Sequence, residues 1–232
     1  MHSISPTLIR TYREAKFVVE DIKPITFKVG ECNLNLAALL KKHKVFTAAF
    51  ITAFNPYSNV LSVEENLKSQ GHLLEDISRL GLETVVGYGQ DVAREWPKET
   101  SLLVLGITEA QAETLADRHS QNGFIWIGSG DALPMLRLRH PIAVPTNSEI
   151  INWISCLPTN VSATAKLLSP LEQAWLMSTP ESEQLHWLDP NSWDLNRVWP
   201  LAKPDGSAMG IGKELDRVFK LIAAGQSQII RT

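Results

Sequence analysis

Short apolar runs rich in β-branched and aromatic residues alternate with stretches of helical period through the first 140 residues. Residues 16–20 and 25–29 flank the Lys23-Pro24 turn and are read as two strands. Residues 34–42 follow as a short helix, with Lys41 and Lys42 at its end, where cations are favoured. Residues 45–54 are dense in β-branched and aromatic side chains and predict a buried strand. The clearest helix comes next. Ser62 and Glu65 have the spacing of a capping box, Val63, Leu67, Leu74, Ile77 and Leu80 recur at helical period, and Gly81 ends the pattern.

Residues 82–86 and 101–106 predict two further strands. The second, Ser-Leu-Leu-Val-Leu-Gly, is so uniformly apolar that it is expected to be covered on both faces. Thr108 and Gln111 open another capped helix running to about residue 119, and residues 124–127 and 135–138 end the series as strands. The order ββαβαββαββ predicts an α/β (mixed α+β) fold: a mixed sheet with helices packed on it.

From about residue 141 the pattern changes. The pair of prolines in His140-Pro141-Ile142-Ala143-Val144-Pro145 marks a join. Five of the seven tryptophans lie beyond it, at Trp153, Trp175, Trp187, Trp193 and Trp199. Residues 1–140 are therefore expected to form one α/β domain and residues 141–232 a Trp-rich, mostly helical extension. Its helices are placed at residues 149–156, from Ser169-Pro170 onward, and at residues 213–224, with a long irregular connection over residues 178–212.

Composition narrows the classes. With 232 residues, 44% hydrophobic and 20% charged, the chain resembles an ordinary globular protein rather than a fibrous or disordered one. Two cysteines cannot build a disulfide framework, and Cys156 reads as a small core residue. The six histidines are too scattered for a zinc site, and the sequence shows no glycine-rich phosphate loop, so no metal and no cofactor is expected. Residues 45–63 carry no charge, but Asn55-Pro56-Tyr57-Ser58-Asn59 interrupts them, so no membrane span is expected. No basic-then-apolar leader follows Met1, and a cytoplasmic location is the expectation. The net charge of -3 gives no general attraction to nucleic acid.

Phe50-Ile51-Thr52-Ala53-Phe54-Asn55-Pro56-Tyr57-Ser58, followed by Ser62-Val63-Glu64-Glu65-Asn66, resembles an uncharacterised bacterial family known only as a domain of unknown function. Its pattern is ITA-x-NP-x-S…S-x-x-EN. Tyr12, Gly81, Gly87, Trp96…Glu99-x-Ser101 and Gln121-Asn122-Gly123 before Trp126 extend the resemblance over about residues 8–140. The resemblance implies a domain boundary and no activity.

The candidate chemistry gathers where a buried strand runs into the Asn-Pro loop and then into a capped helix. Ligands often sit beyond strand ends, beside helix N-termini that favour anions. Asn55, Asn66 and Gln121 offer donors and acceptors for the edge of a base or amide. Tyr12, Tyr57 and Trp126 offer stacking faces, and Ser58 and Ser62 offer hydroxyls. The expected ligand-binding set is Tyr12, Asn55, Ser58, Ser62, Asn66, Gln121 and Trp126, and the ligand small and polar, nucleotide-like among the options. Whether the protein is an enzyme is left open, with Glu65 as the candidate acid or base. Some of these residues also have a plainer explanation, while Asn66 is harder to dismiss because asparagine has a weak preference for the first turn of a helix. Ser62 and Glu65 are accounted for by capping, and Asn55-Pro56 by a turn.

A second reading is a non-catalytic interaction subunit that grips a protein partner through residues 141–232, tryptophan being enriched in interface hot spots. Residues 141–196 hold one Lys or Arg against six acids, whereas residues 197–232 hold six against three. The basic trio Lys213, Arg217 and Lys220 also leaves nucleic acid as a partner to be considered.

Overall fold

The computed structural model describes residues 2–90, 98–128 and 132–189. The chain divides into two compact units, residues 11–140 and residues 1–10 together with 141 onward.

In the first unit, β1 (Lys16–Val19), β2 (Ile25–Phe27), α2 (Leu34–Lys42), β3 (Ala48–Ile51), α3 (Val63–Arg79), β4 (Thr84–Gln90), β5 (Glu99–Leu105), α4 (Glu109–Arg118), β6 (Gly123–Ile127) and β7 (Pro134–Leu138) follow in the order read from the sequence. One helix precedes them. α1 (Pro6–Glu14) straddles the division at residue 10, and it was not expected. It starts at Ser5-Pro6, where the Ser5 hydroxyl accepts from Leu8 N–H, the same Ser-Pro start found at Ser169-Pro170. What hid it is its polar character, since Pro6 and Ile9 alone are buried.

The seven strands form one sheet in the order β2-β1-β4-β5-β3-β6-β7, and every described ladder is antiparallel. The sheet curls until the chain just after β2 meets β7, where Gly30 N–H donates to the Pro134 carbonyl at 2.8 Å. Alternation sends successive side chains of the central strands to opposite layers. Ala48, Phe50, Leu103, Leu105, Ile125 and Ile127 pack on one face with Leu36, Leu39 and Leu40 of α2. Ala49, Ile51, Leu102, Val104, Phe124 and Trp126 pack on the other with α3 and α4. Helices on both faces of β5 explain its unbroken apolar run.

α3 departs from its expected orientation. Of the apolar positions that define its period, only Ile77 is buried, while Val63 is 74% and Leu67 56% exposed. The buried side of α3 is instead Asn66, Gln70, Leu73, Asp76 and Ile77. The cause lies at the end of β3, where the chain leaves the sheet with main-chain donors to satisfy. Gln70 Oε1 accepts from Ala53 N–H at 2.8 Å, and Asn66 Oδ1 accepts from Asn55 N–H at 2.7 Å. Helix amides replace the missing strand partner.

The second unit contains α5 (Asn147–Cys156), α6 (Thr159–Leu167), α7 (Pro170–Met177) and α8 (Glu181–Leu188) among the described residues. Ile4 joins it as a bridge to Ile142. Val161, Ala165, Leu168, Trp175, Leu176, Trp187 and Leu188 form its core, with the Trp175 and Trp187 rings edge-to-face at 5.7 Å. α6 was not read from the sequence. The irregular connection expected from residue 178 is broken at once by α8, which Pro180 precedes and Glu181 and Glu183 favour in its first turn. Cys156 is exposed, not a core residue. The helix expected at residues 213–224, Trp96, Trp193, Trp199, Lys213, Arg217 and Lys220 lie outside the described residues.

Candidate functional site

The chain leaving β3 makes an unusually constrained loop. Asn55, Tyr57 and Ser58 all have left-handed φ angles, of 47°, 52° and 59°, without a glycine among them. Each such residue costs about 1 kcal/mol or more and persists only where surrounding bonds enforce it. Those bonds are present. Asn55 Oδ1 accepts from Leu61 N–H at 3.0 Å and from Asn66 Nδ2 at 2.9 Å, and Tyr57 N–H donates to the Ser120 carbonyl at 2.7 Å.

Beside the loop, side chains distant in sequence converge. Tyr12 Oη and Ser58 Oγ are hydrogen-bonded at 2.7 Å. Asn122 Nδ2 donates to both, to Ser58 Oγ at 2.9 Å and to Tyr12 Oη at 3.2 Å. Asn55 Nδ2 donates to Glu99 Oε1 at 2.6 Å. Asn55, Asn66 and Asn122 are buried beneath, whereas Tyr12, Ser58 and Glu99 are half-buried and partly open to solvent.

The electrostatics are those of a desolvated site. Burial pushes the Glu99 carboxyl above its usual range, although the Asn55 amide bond pulls the other way. Burial likewise raises the Tyr12 hydroxyl against the bonds from Ser58 and Asn122, and the nearby Glu99 charge adds to the rise. A carboxyl that keeps its proton to higher pH, within electrostatic reach of the Tyr12 hydroxyl, is suited to exchanging a proton with a bound molecule or to accepting its N–H or O–H.

The structure brings together Tyr12, Asn55, Ser58 and Asn66 of the expected set. The amides of Asn55, Asn66 and Gln121, however, spend their bonds within the chain, and Gln121 Nε2 donates to the carbonyls of Phe54 and His119 at 3.1 and 3.2 Å. They build the loop rather than face outward. Ser62 and Glu65 close a capping box at the exposed start of α3, where the Ser62 hydroxyl and then its main-chain N–H hold Glu65 below the usual carboxylate range. Tyr57 is exposed against the His140 ring, at 5.5 Å. Trp126 belongs to the apolar layer under α4, four residues along β6 from Asn122 and so about 13 Å up the strand.

Glu99 and Asn122 are the two members that sequence reasoning passed over. Both stand in stretches noted for resemblance, Glu99-x-Ser101 and Gln121-Asn122-Gly123, but neither shows by spacing that it meets residue 12 or residue 55. Among the described residues, no group of three His, Cys, Asp or Glu side chains is placed to hold a metal ion, and no helix is long and apolar enough to cross a membrane.

Residues 51–123 match the model of an uncharacterised family described as "Protein of unknown function (DUF3293)". The matched span contains the Asn-Pro loop, all of α3, Glu99 and Asn122, and excludes Tyr12 and Trp126. No curated protein and no solved structure matches the chain.

Proposed function

Taking residues 51–123 as a segment of that uncharacterised family, we propose that residues 11–140 bind a small polar molecule, nucleotide-like among the candidates, at the Tyr12–Ser58–Glu99 face of the Asn-Pro loop. One observation carries the reading. A partly desolvated carboxyl on β5, held by the Asn55 amide and close enough to Tyr12 for its charge to be felt there, accompanies the Tyr12–Ser58 hydroxyl pair at a loop whose three left-handed residues are held by buried amides. Strain of this kind and displaced titration concentrate at functional sites, because neither stabilises a fold. In this reading Glu99 accepts an N–H or O–H of the ligand and is the group placed to move a proton. Tyr12 and Ser58 complete the polar rim, and Asn55 holds the carboxyl in position.

The test is thermal denaturation of the full chain with AMP, GMP, CMP, UMP and the corresponding nucleosides. At least one is expected to raise the melting temperature of the wild type by a few degrees, and less so that of Glu99→Gln and Ser58→Ala. No stabilisation by any of them would remove the nucleotide-like class, and equal stabilisation of all three proteins would remove the site.

The alternative, a partner-gripping role for residues 141–232, draws less from the structure. Trp175 and Trp187 are consumed in the core of their own unit, and Trp153 Nε1 donates to Gln184 Oε1 at 2.9 Å. Affinity capture with and without residues 141–232 discriminates between the two readings.

A further inference from the structure

A hollow of about 290 Å³ lies between the C-terminal half of α3 and α4, and shares no lining residue with the Tyr12–Ser58–Glu99 cluster. Its polar wall is organised by one buried carboxylate. Asp76 accepts from Arg79 Nη1 at 2.7 Å and from Arg118 Nη1 at 3.1 Å, and His119 Nε2 stands 3.1 Å from its other oxygen. Two guanidiniums from two helices are thereby fixed at the rim of one hollow. Both side chains stay largely exposed, at 69% and 59%, so their outer donors face solvent. Arg79 also meets the exposed Glu75 at 3.4 Å, which leaves Arg118 as the less engaged head. The rest of the wall is made of apolar Leu80, Ala110 and Leu115 together with Gln111 and Thr114.

Charge and shape select the occupant. Arg79 divides its charge between Asp76 and Glu75, so Arg118, which meets Asp76 through one nitrogen, is the cation left to receive an anion. A monoanion meets that one head, whereas a dianion such as phosphate would bring its second charge against Asp76 and Glu75. An all-polar ion would waste the apolar wall. The volume exceeds that of an apolar cavity that takes benzene, about 150 Å³. We infer that the α3–α4 hollow binds a small apolar monocarboxylate, its carboxylate on Arg118 with Arg79 beside it, and its hydrocarbon body against Leu80, Ala110 and Leu115. A guanidinium fork matches a planar carboxylate in geometry as well as charge.

The experiment is titration of the full chain with sodium hexanoate, 1-hexanol and inorganic phosphate, followed by calorimetry and by amide chemical shifts. Hexanoate is expected to bind with shifts confined to α3 and α4, and 1-hexanol and phosphate to bind at least tenfold more weakly, about what one charge-assisted hydrogen bond is worth. Arg118→Gln, at an exposed position, should cost about the same factor with unchanged far-ultraviolet circular dichroism. Thr114→Trp, which fills the hollow from its exposed rim, should abolish binding. Glu99→Gln, outside the lining of this hollow, should leave hexanoate binding unchanged, which separates the hollow from the Asn-Pro loop. Absence of hexanoate binding, equal binding of 1-hexanol, tighter binding of phosphate, or an unaffected Arg118→Gln protein would each overturn the assignment.

Discussion

Asn55 Nδ2 donates to Glu99 Oε1 at 2.6 Å while Asn55 Oδ1 ties down Leu61 N–H and Asn66 Nδ2, so one buried amide joins the loop, the start of α3 and the first residue of β5. The carboxyl at the end of this chain of bonds still titrates above its usual range, because burial outweighs the single amide donor. Its folded pKa is therefore higher than its unfolded one. Such a group contributes stability that is fully present below the unfolded pKa and is lost as pH rises through the folded pKa. Glu99→Gln keeps an acceptor for Asn55 and cannot ionise. Melting temperatures of the two proteins measured from about pH 4 upward should diverge, with Gln gaining on Glu as pH rises. Parallel curves would show that Glu99 is not desolvated.

Asp76 behaves in the opposite sense. Burial alone would raise it, but hydrogen bonds from Arg118 and His119 outweigh that and hold its carboxyl below the usual range. Its contribution is present above the unfolded pKa of an aspartate and is lost as pH falls through the folded value. His119 is lowered by burial against the pull of Asp76, so acid also charges an imidazole that the fold prefers neutral. Asp76→Asn is expected to destabilise the protein by roughly 1–3 kcal/mol at neutral pH, read by urea denaturation. The deficit should shrink as pH approaches the acidic limit, where wild-type Asp76 is protonated too. A deficit independent of pH would assign the loss to packing instead.

Much of the first unit was legible because its signals are local. Ser62 with Glu65 and Thr108 with Gln111 do form capping boxes, and the alternation in β3, β5 and β6 does separate two apolar layers. The orientation of α3 was not legible. Its apolar residues follow the helical period, but the side that is buried is set by where β3 ends and by which main-chain donors Asn66 and Gln70 must satisfy. Asn55, Ser58 and Asn66 meet because the loop and the helix start are neighbours in sequence, whereas Tyr12, 46 residues from Ser58, stood out in the sequence through the resemblance and not through spacing. Glu99 and Asn122 were missed because their partners lie 44 and 110 residues away and only the strand order brings them together.

Gly87 and Gly89 make a paired test of close packing in β4. A Cβ on Gly87 would lie 2.3 Å from the Val18 carbonyl oxygen and 2.7 Å from the Phe50 ring, whereas one on Gly89 would lie 3.5 Å from the Phe17 ring, an ordinary contact. Gly87 is thus the space into which Phe50 leans, and Phe50 in turn meets Phe17 and Phe27 edge-on at 5.6 and 5.4 Å. Gly87→Ala should cost roughly 1–3 kcal/mol or more, as overpacking against an unyielding backbone does. Gly89→Ala should cost less than about 1 kcal/mol, since strand entropy favours the replacement. Chemical denaturation of the two variants decides the matter, and equal costs would contradict the geometry.

Ser62→Ala separates capping from ligand binding at the start of α3. Ser62 Oγ accepts from Glu65 N–H at 3.2 Å and donates to Glu65 Oε2 at 2.6 Å, so its loss frees one helix donor and leaves Glu65 Oε2, of its two donors from Ser62, the main-chain N–H at 3.0 Å. Removal of such a cap costs about 0.5–2 kcal/mol, and it should also return the lowered Glu65 carboxyl toward its ordinary range, measurable from its side-chain carboxyl carbon shift across pH. Any ligand found by the thermal screen should keep its affinity in this variant, because the half-buried members of the site are Tyr12, Ser58 and Glu99 rather than Ser62. A fall in ligand affinity larger than the fall in stability would instead place the ligand's anionic group on the helix N-terminus, and would shift the site from the Tyr12–Ser58–Glu99 face to the first turn of α3.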